Sequence, residues 1–330
     1  MRPLLALILC LAGASVRAEL DTEGLPGGAA AIVGFDLAAF RATKLGQAIE
    51  QLADMKAGNL EVSRKFREQL GIDPEVDLSG FVVAAYPGAD GKIAEKNASG
   101  IVLIRGKFLP ATIDAFGEKH GLPVRTVGKH RAWEAAAFIE KLSGQKAKEN
   151  ADEAFVVAHS EKLVIVASAA FLERALAAAD RGEKSAQLPA EVATRFASAQ
   201  RGWLYLYADA TKMPKAKQDV GAEDISVVLG ENATDVQLAT GARFVSPEKA
   251  AATLKQLQGL QAFAMIGLAN DDGKSAEEKE TMALLSDMVQ KIRLGGEGRQ
   301  VTLALDYPAE KMAQAVRRTA EKGLAKPAAK

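Results

Sequence analysis

Cysteine is almost absent from this chain: Cys10 is the only one in 330 residues, and it lies in an apolar N-terminal segment. Disulfides, thiolate nucleophiles and cysteine-ligated metals are therefore excluded from the rest of the protein. An excess of charge of one sign is lacking as well, since 42 basic residues balance 42 acidic ones. Because nucleic-acid binding requires a basic surface, this balance argues against a nucleic-acid partner.

Long hydrophobic runs are also lacking. The N-terminal apolar stretch, Leu4–Leu11, is much shorter than the roughly 20 residues that span a bilayer. Arg2 precedes it and Val16-Arg17-Ala18 follows, which is the layout of a secretory signal. We expect a signal peptide over residues 1–18 that is cleaved after Ala18, a periplasmic or secreted protein, and a mature chain without cysteine or a transmembrane segment.

Two distant stretches of the chain follow the same pattern of strand, basic residue, Phe, Pro and helix. The first is Ile101–Pro110 and the second is Val236–Pro247, and pairing Phe108 with Phe244 gives an offset of 244 − 108 = 136. Further on, Leu163 matches Val301 at 301 − 163 = 138. Two matches at nearly one offset predict a tandem duplication.

The duplication predicts an α+β fold of two similar units, with residues 28–182 and 200–323 as the units. Residues 183–199 would be a linker with a short helix, and residues 324–330 a disordered tail. Short hairpins indicate antiparallel pairing, and alternating apolar residues predict that helices cover one face of each sheet. Among the predicted strands are Arg131–Phe138, in a hairpin, and Leu260–Ile266.

Most motifs that identify a reaction are missing. The chain has no Gly-rich nucleotide loop, no G-x-S-x-G elbow and no H-E-x-x-H zinc motif. Its three histidines, His120, His130 and His159, lie in predicted turns or at a helix end without the spacing that fixes two metal ligands on one helix face. We interpret them as solvated residues in preference to a shared metal site, and we predict no catalytic residue, no metal and no cofactor.

One stretch is locally basic and could receive a carboxylate, a phosphate or an anionic lipid headgroup. An ordinary solvated hairpin is the alternative interpretation. The residues of this candidate binding site are Lys119, His120, Arg125, Lys129, His130 and Arg131.

Four aspartates lie at corresponding ends of predicted strands in the two units: Asp36 and Asp209, then Asp77 and Asp224. A paired catalytic role is conceivable for them. Aspartate at a strand end more often caps the following turn or helix, and we favour that structural role.

The motifs Gly-Ile-Asp-Pro-x-x-Asp-Leu at Gly71–Leu78 and Arg-Gly-x-Phe at Arg105–Phe108 resemble those of uncharacterised secreted proteins of environmental bacteria. The resemblance implies an exported, duplicated α+β architecture and no particular activity. We therefore expect an exported, non-catalytic binding or structural protein, with an unknown protein or a small anionic or apolar ligand as its partner. The alternative is a cofactor-free hydrolase or lyase that uses carboxylates in a cleft between the units.

Overall fold

The computed structural model describes residues 20–53, 57–93, 100–144, 153–183, 188–198, 202–214, 221–269 and 275–325. The expected signal peptide lies outside these residues. Within them, twelve strands form one antiparallel sheet in the order β11-β12-β10-β9-β8-β1-β2-β3-β7-β6-β5-β4. The strands are β1 (Ala31–Asp36), β2 (Leu78–Ala85), β3 (Gly100–Gly106), β4 (Val124–Val127), β5 (His130–Glu134), β6 (Ala154–Ser160), β7 (Leu163–Ser168), β8 (Gly202–Asp209), β9 (Ala222–Glu231), β10 (Asp235–Phe244), β11 (Arg293–Glu297) and β12 (Gln300–Pro308).

Ten α-helices and one short 3-10 helix, Ala210–Lys212, accompany the sheet in the described ranges. None of the helices found there is both long and apolar enough to cross a membrane. The α-helices are α1 (Leu37–Arg41), α2 (Lys44–Ala53), α3 (Ala57–Leu70), α4 (Pro110–Lys119), α5 (Ala135–Ser143), α6 (Leu172–Asp180), α7 (Ala190–Ser198), α8 (Pro247–Ala269), α9 (Ala276–Lys291) and α10 (Ala309–Ala325).

The sheet is continuous across the middle of the chain. β1 pairs with β8 in antiparallel register, from Ala31 opposite Ala208 to Phe35 opposite Leu204. This pairing satisfies backbone groups that two separate sheets would leave on exposed edges. The strands of residues 28–182 and of residues 200–323 therefore share one sheet, and paired strands occupy the place where a cleft between the units was expected.

Helices cover both faces of the sheet, so the prediction of a single covered face is wrong. Face A carries Leu103 and Ile165, and α6 packs on it through Leu172. Face B carries Val164, against which Phe116 of α4 packs. The central strands β3 and β7 are apolar on both sides, and each side needs a cover. α7 also lies on face A, while α1–α5 and α8–α10 lie on face B.

One predicted strand, the second half of another and part of the predicted tail are helical. Leu260–Ile266 belongs to α8, which continues to Ala269, and Ala135–Ser143 forms α5 after a β5 that ends at Glu134. In α8 the apolar side chains of Leu260, Phe263 and Ile266 recur every third residue on one exposed face, and Phe263 is 73% exposed. This spacing fits a helix, whereas a half-buried strand would place an apolar residue at every second position. α10 continues to Ala325, and residues 326–330 lie outside the described part.

Candidate functional site: a cavity at the ends of the central strands

Antiparallel pairing brings the carboxyl ends of β1, β3 and β6 to the same end of the sheet as the amino ends of β2 and β7. A cavity of about 790 Å³ lies there, which we call the strand-end cavity. Its volume is within the usual range for small-molecule sites. It is lined by Leu20, Asp21, Glu23, Phe35, Asp36, Ala38, Val76, Asp77, Ser79, Gly80, Phe81, Val82, Arg105, Gly106, Lys107, His159, Ser160, Lys162, Leu163, Ala179 and Tyr205.

Residues 20–23 contribute to one wall of the strand-end cavity, and Leu20 lies directly on β1. Gly34 makes this possible, because a Cβ at that position would lie 2.0 Å from Leu20 Cδ1. A strand glycine of this kind lets another segment approach the sheet closely. Arg105 holds the same segment, donating to the carbonyl of Glu23 and lying 3.4 Å from Asp21 Oδ1.

Large apolar side chains line another part of the strand-end cavity. The rings of Phe35 and Phe81 stack with centroids 5.6 Å apart, and Phe81 remains 39% exposed. Val76, in the turn before β2, is 70% exposed. These side chains offer an apolar contact surface to a small molecule.

Positive charge lies beside this apolar surface. Lys107 and Lys162 are exposed, and neither ammonium group has an ion-pair partner among the described residues. The backbone fixes both positions: Lys107 donates its N–H to the carbonyl of Asp77 (2.8 Å), and the carbonyl of Lys162 accepts from Gly106 (3.2 Å). The Nε atom of Arg105 is buried and also lacks a hydrogen-bond partner among those residues. The strand-end cavity therefore presents two ammonium groups, those of Lys107 and Lys162, without an ion-pair partner among the described residues.

The four aspartates at strand ends do not all meet: Asp36 and Asp77 line the strand-end cavity, whereas Asp209 and Asp224 do not. Asp36 accepts from the Ala39 N–H (2.7 Å) at the start of α1, and Asp209 accepts from the Thr211 N–H (3.1 Å) at the 3-10 helix. Both are the helix caps that the sequence predicts.

The other pair behaves differently. Asp77 accepts from the Asp73 N–H (2.8 Å) within a turn, whereas Asp224 lies buried in β9 and pairs with Arg243 Nε (2.8 Å). The capping role predicted for Asp224 is therefore wrong, because its partner comes from the neighbouring strand.

In the basic hairpin predicted as a binding site, several side chains already have partners. Arg125 pairs with Glu173 at 3.2 Å, and Arg131 pairs with Glu118 while its guanidinium lies over the Trp133 ring. Each of these arginines is held by a partner of its own. The remaining members of the predicted site are His120, packed against Phe116, Lys119, exposed at the end of α4, and Lys129 and His130, which meet at Asp180.

Two of the three histidines come together, contrary to the interpretation that all three are solvated. His130 Nε2 and His159 Nε2 each lie 3.1 Å from Asp180 Oδ1, and the two rings stack at 5.0 Å. His130 is only 8% exposed. We call these three residues the His–Asp cluster; His159 also lines the strand-end cavity.

The environment of the His–Asp cluster favours a neutral imidazole at His159 and an ionised carboxylate at Asp180. Burial lowers the pKa of His159, and the nearby His130 acts in the same direction. Partial desolvation opposes ionisation of Asp180, but hydrogen bonds from Lys129, His130 and His159 lower its pKa to about 2. The cluster thus holds one carboxylate between two imidazole rings near neutral pH.

Sequence reasoning missed Lys107, Lys162 and Asp180. A local signal existed for Lys107, which directly follows a strand that is apolar on both faces. No local signal marks Asp180, because 50 residues separate it from His130 and only the packing of α6 on the sheet joins them.

No protein-family model matches the chain, and no curated protein sequence matches it either. Its fold is distantly similar to crystal structures of TP0453. Crystal form III has a TM-score of 0.46 at 11% identity, over 91% of this chain and 99% of that one. Crystal form I has a TM-score of 0.42 at 11% identity, over 92% and 98% of the two chains.

Proposed function

We propose that the protein is a non-catalytic binding protein whose strand-end cavity takes a small amphipathic anion. The observation that carries this proposal is the pairing of an apolar surface, Phe35 and Phe81, with unpaired cations at Lys107 and Lys162. An apolar body would pack on the rings, and a carboxylate or phosphate would accept hydrogen bonds from the ammonium groups.

The four strand-end aspartates support binding over catalysis. A hydrolase or lyase needs a carboxylate or imidazole free to exchange a proton with its substrate. Asp36 and Asp77 line the strand-end cavity but accept backbone hydrogen bonds, and Asp209 and Asp224 are not among its lining residues. The cofactor-free hydrolase or lyase is therefore the less supported alternative.

Titration calorimetry with decanoate, decyl phosphate and uncharged decanol tests this function. We expect saturable binding of the anions and weaker binding of decanol. The double variant Lys107→Ala/Lys162→Ala should lose at least about tenfold in anion affinity, because a charge-assisted hydrogen bond contributes about 1.5–3 kcal/mol. Its decanol affinity should not change.

Lys119→Ala is the matched control, since Lys119 is an exposed lysine that does not line the strand-end cavity. Its anion affinity should equal that of the wild type. Equal losses in the control and the double variant, or no saturable binding of any of the three compounds, would reject the proposal.

We also propose that the protein is exported and works in the periplasm or outside the cell. The support is the signal-like sequence ending at Ala18. N-terminal sequencing of the protein from fractionated cells should begin at Glu19. An intact Met1 terminus in the cytoplasmic fraction would contradict export.

The tandem duplication remains a proposal as well. The order β1-β2-β3-β7-β6 on one side of the β1–β8 junction is matched by β8-β9-β10-β12-β11 on the other. In both halves a three-strand meander is followed by helices and a returning hairpin. This shared order supports descent from one repeated unit.

A further inference from the structure

The His–Asp cluster joins three separate elements of the fold. His130 begins β5, His159 is near the end of β6, and Asp180 is the last residue of α6. β5 and β6 are paired in the sheet, and α6 is anchored on face A by the buried Leu172 and Leu176. The three side chains are thus held by packed elements, as a preorganised site requires.

The distances suit a small metal ion. One ligand atom from each residue lies within 4.8 Å of the others, and both imidazole Nε2 atoms are 3.1 Å from the same carboxylate oxygen. In a tetrahedral zinc site with bonds of 2.0–2.2 Å, ligand atoms lie about 3.3–3.6 Å apart. Small side-chain adjustments would bring the cluster to that spacing.

We propose that His130, His159 and Asp180 bind a divalent transition-metal ion, with Zn²⁺ as the best fit. Two imidazole nitrogens and one carboxylate oxygen form a ligand set that zinc uses when a fourth position is left for water or another ligand. His159 lines the strand-end cavity, so this fourth position would lie close to it. The site does not depend on the proposed anion binding.

Coordination by His130 and His159 requires neutral imidazole rings, so zinc binding should weaken as the pH falls. Each ring would coordinate through an unprotonated Nε2, with its proton on Nδ1, and the metal bonds would replace the contacts that both Nε2 atoms now make with Asp180.

The ammonium group of Lys129 would compete with a metal ion for the carboxylate of Asp180. Its ammonium lies 3.0 Å from Asp180 Oδ1, but its side chain is 73% exposed and free to turn into solvent. A metal ion at the cluster would repel this ammonium. Removal of Lys129 should therefore strengthen metal binding, whereas in a purely structural hydrogen-bond network it would have no such effect.

Calorimetric titration of untagged, EDTA-treated protein with ZnCl₂ tests the site. We expect one ion per chain, an affinity at least about tenfold lower in His130→Ala and in His159→Ala, and a higher affinity in Lys129→Ala. His120→Ala is the matched control, because His120 packs on Phe116 away from the cluster, and its affinity should equal the wild-type value.

Cobalt(II) spectroscopy of the wild-type protein keeps the test valid where a histidine variant fails to fold. Tetrahedral coordination by the cluster should give visible absorption bands that added Zn²⁺ removes. Absence of these bands together with absence of saturable zinc binding would overturn the site. Zinc binding that His159→Gln leaves unchanged would also overturn it.

Discussion

At the scale of single residues, buried charged side chains are rare in the described part of the chain, and Glu231 is one of them. It is 4% exposed at the end of β9. Its two carboxylate oxygens accept from the backbone N–H groups of Lys44 (2.7 Å) and Leu45 (3.2 Å). These groups open α2, where helical N–H donors have no partner within the helix and favour a negative charge. A strand of one half thereby caps a helix of the other.

We predict that Glu231→Ala destabilises the protein by about 1–3 kcal/mol, because two N–H groups at the start of α2 lose their acceptors. Glu231→Gln keeps one acceptor and should cost less. Urea denaturation of both variants measures the free energy of unfolding. Glu297→Ala, at an exposed position in β11, should stay within about 0.5 kcal/mol of the wild type. A Glu231→Ala variant as stable as this control would contradict the capping role.

At the scale of elements, packing against neighbouring side chains limits which residue type fits at a position, even inside a regular helix. Gly117 lies in α4 against the indole of Trp133, and a Cβ at this position would lie 2.5 Å from Trp133 Cδ2. Trp133 in turn donates from Nε1 to Asp114 of the same helix (2.8 Å). Gly259 lies in α8, where no heavy atom lies within 4 Å of the same position. Two helical glycines thus have opposite surroundings.

The two glycines should respond oppositely to alanine. Gly259→Ala is expected to stabilise the protein by about 0.5–1 kcal/mol through helix propensity alone. Gly117→Ala brings the same gain but forces the Trp133 ring to move, so we expect a net destabilisation of about 1–3 kcal/mol. Thermal unfolding followed by circular dichroism measures both changes. Stabilisation by Gly117→Ala would contradict the close packing of α4 on the indole.

At the scale of the whole molecule, the two halves share a core as well as a sheet. Phe40 and Leu45 of the first half pack with Trp203, Val236 and Ala309 of the second. The halves also diverge in one respect: α6 follows β7 on face A, whereas α10 follows β12 on face B. A duplicated unit would therefore have been adapted to build one shared core.

We predict a single cooperative unfolding transition, because unfolding of either half would expose the shared cluster around Phe40 and Trp203 and the unpaired edge of β1 or β8. Trp133 reports on the first half and Trp203 on the shared core. In Trp133→Phe and in Trp203→Phe, urea transitions followed by fluorescence of the remaining tryptophan and by circular dichroism should coincide. Separate fluorescence and circular-dichroism midpoints in either variant would indicate independently folding halves.

Local patterns by themselves determined the mixture of helices and antiparallel strands, as well as features such as the cap at Asp36. These depend on residues within one or two turns of each other, so hydrophobic periodicity and cap chemistry reveal them. The strand predicted at Leu260–Ile266 was wrong because a short apolar run fits a strand or a helix equally well. The segment is helical because it is part of α8, which extends from Pro247 to Ala269.

Three features were determined only by the tertiary structure. They are the pairing of β1 with β8, the packing of helices on both faces of the sheet, and the contacts of His130 and His159 with Asp180. Each of these depends on contacts between residues far apart in the chain, which local periodicity does not encode. Hydrogen bonding of exposed strand edges and burial of two apolar faces chose among the arrangements that the local patterns allowed. The same tertiary contacts pair Arg125 with Glu173 and Arg131 with Glu118, and they bring Lys107 and Lys162 to the strand-end cavity.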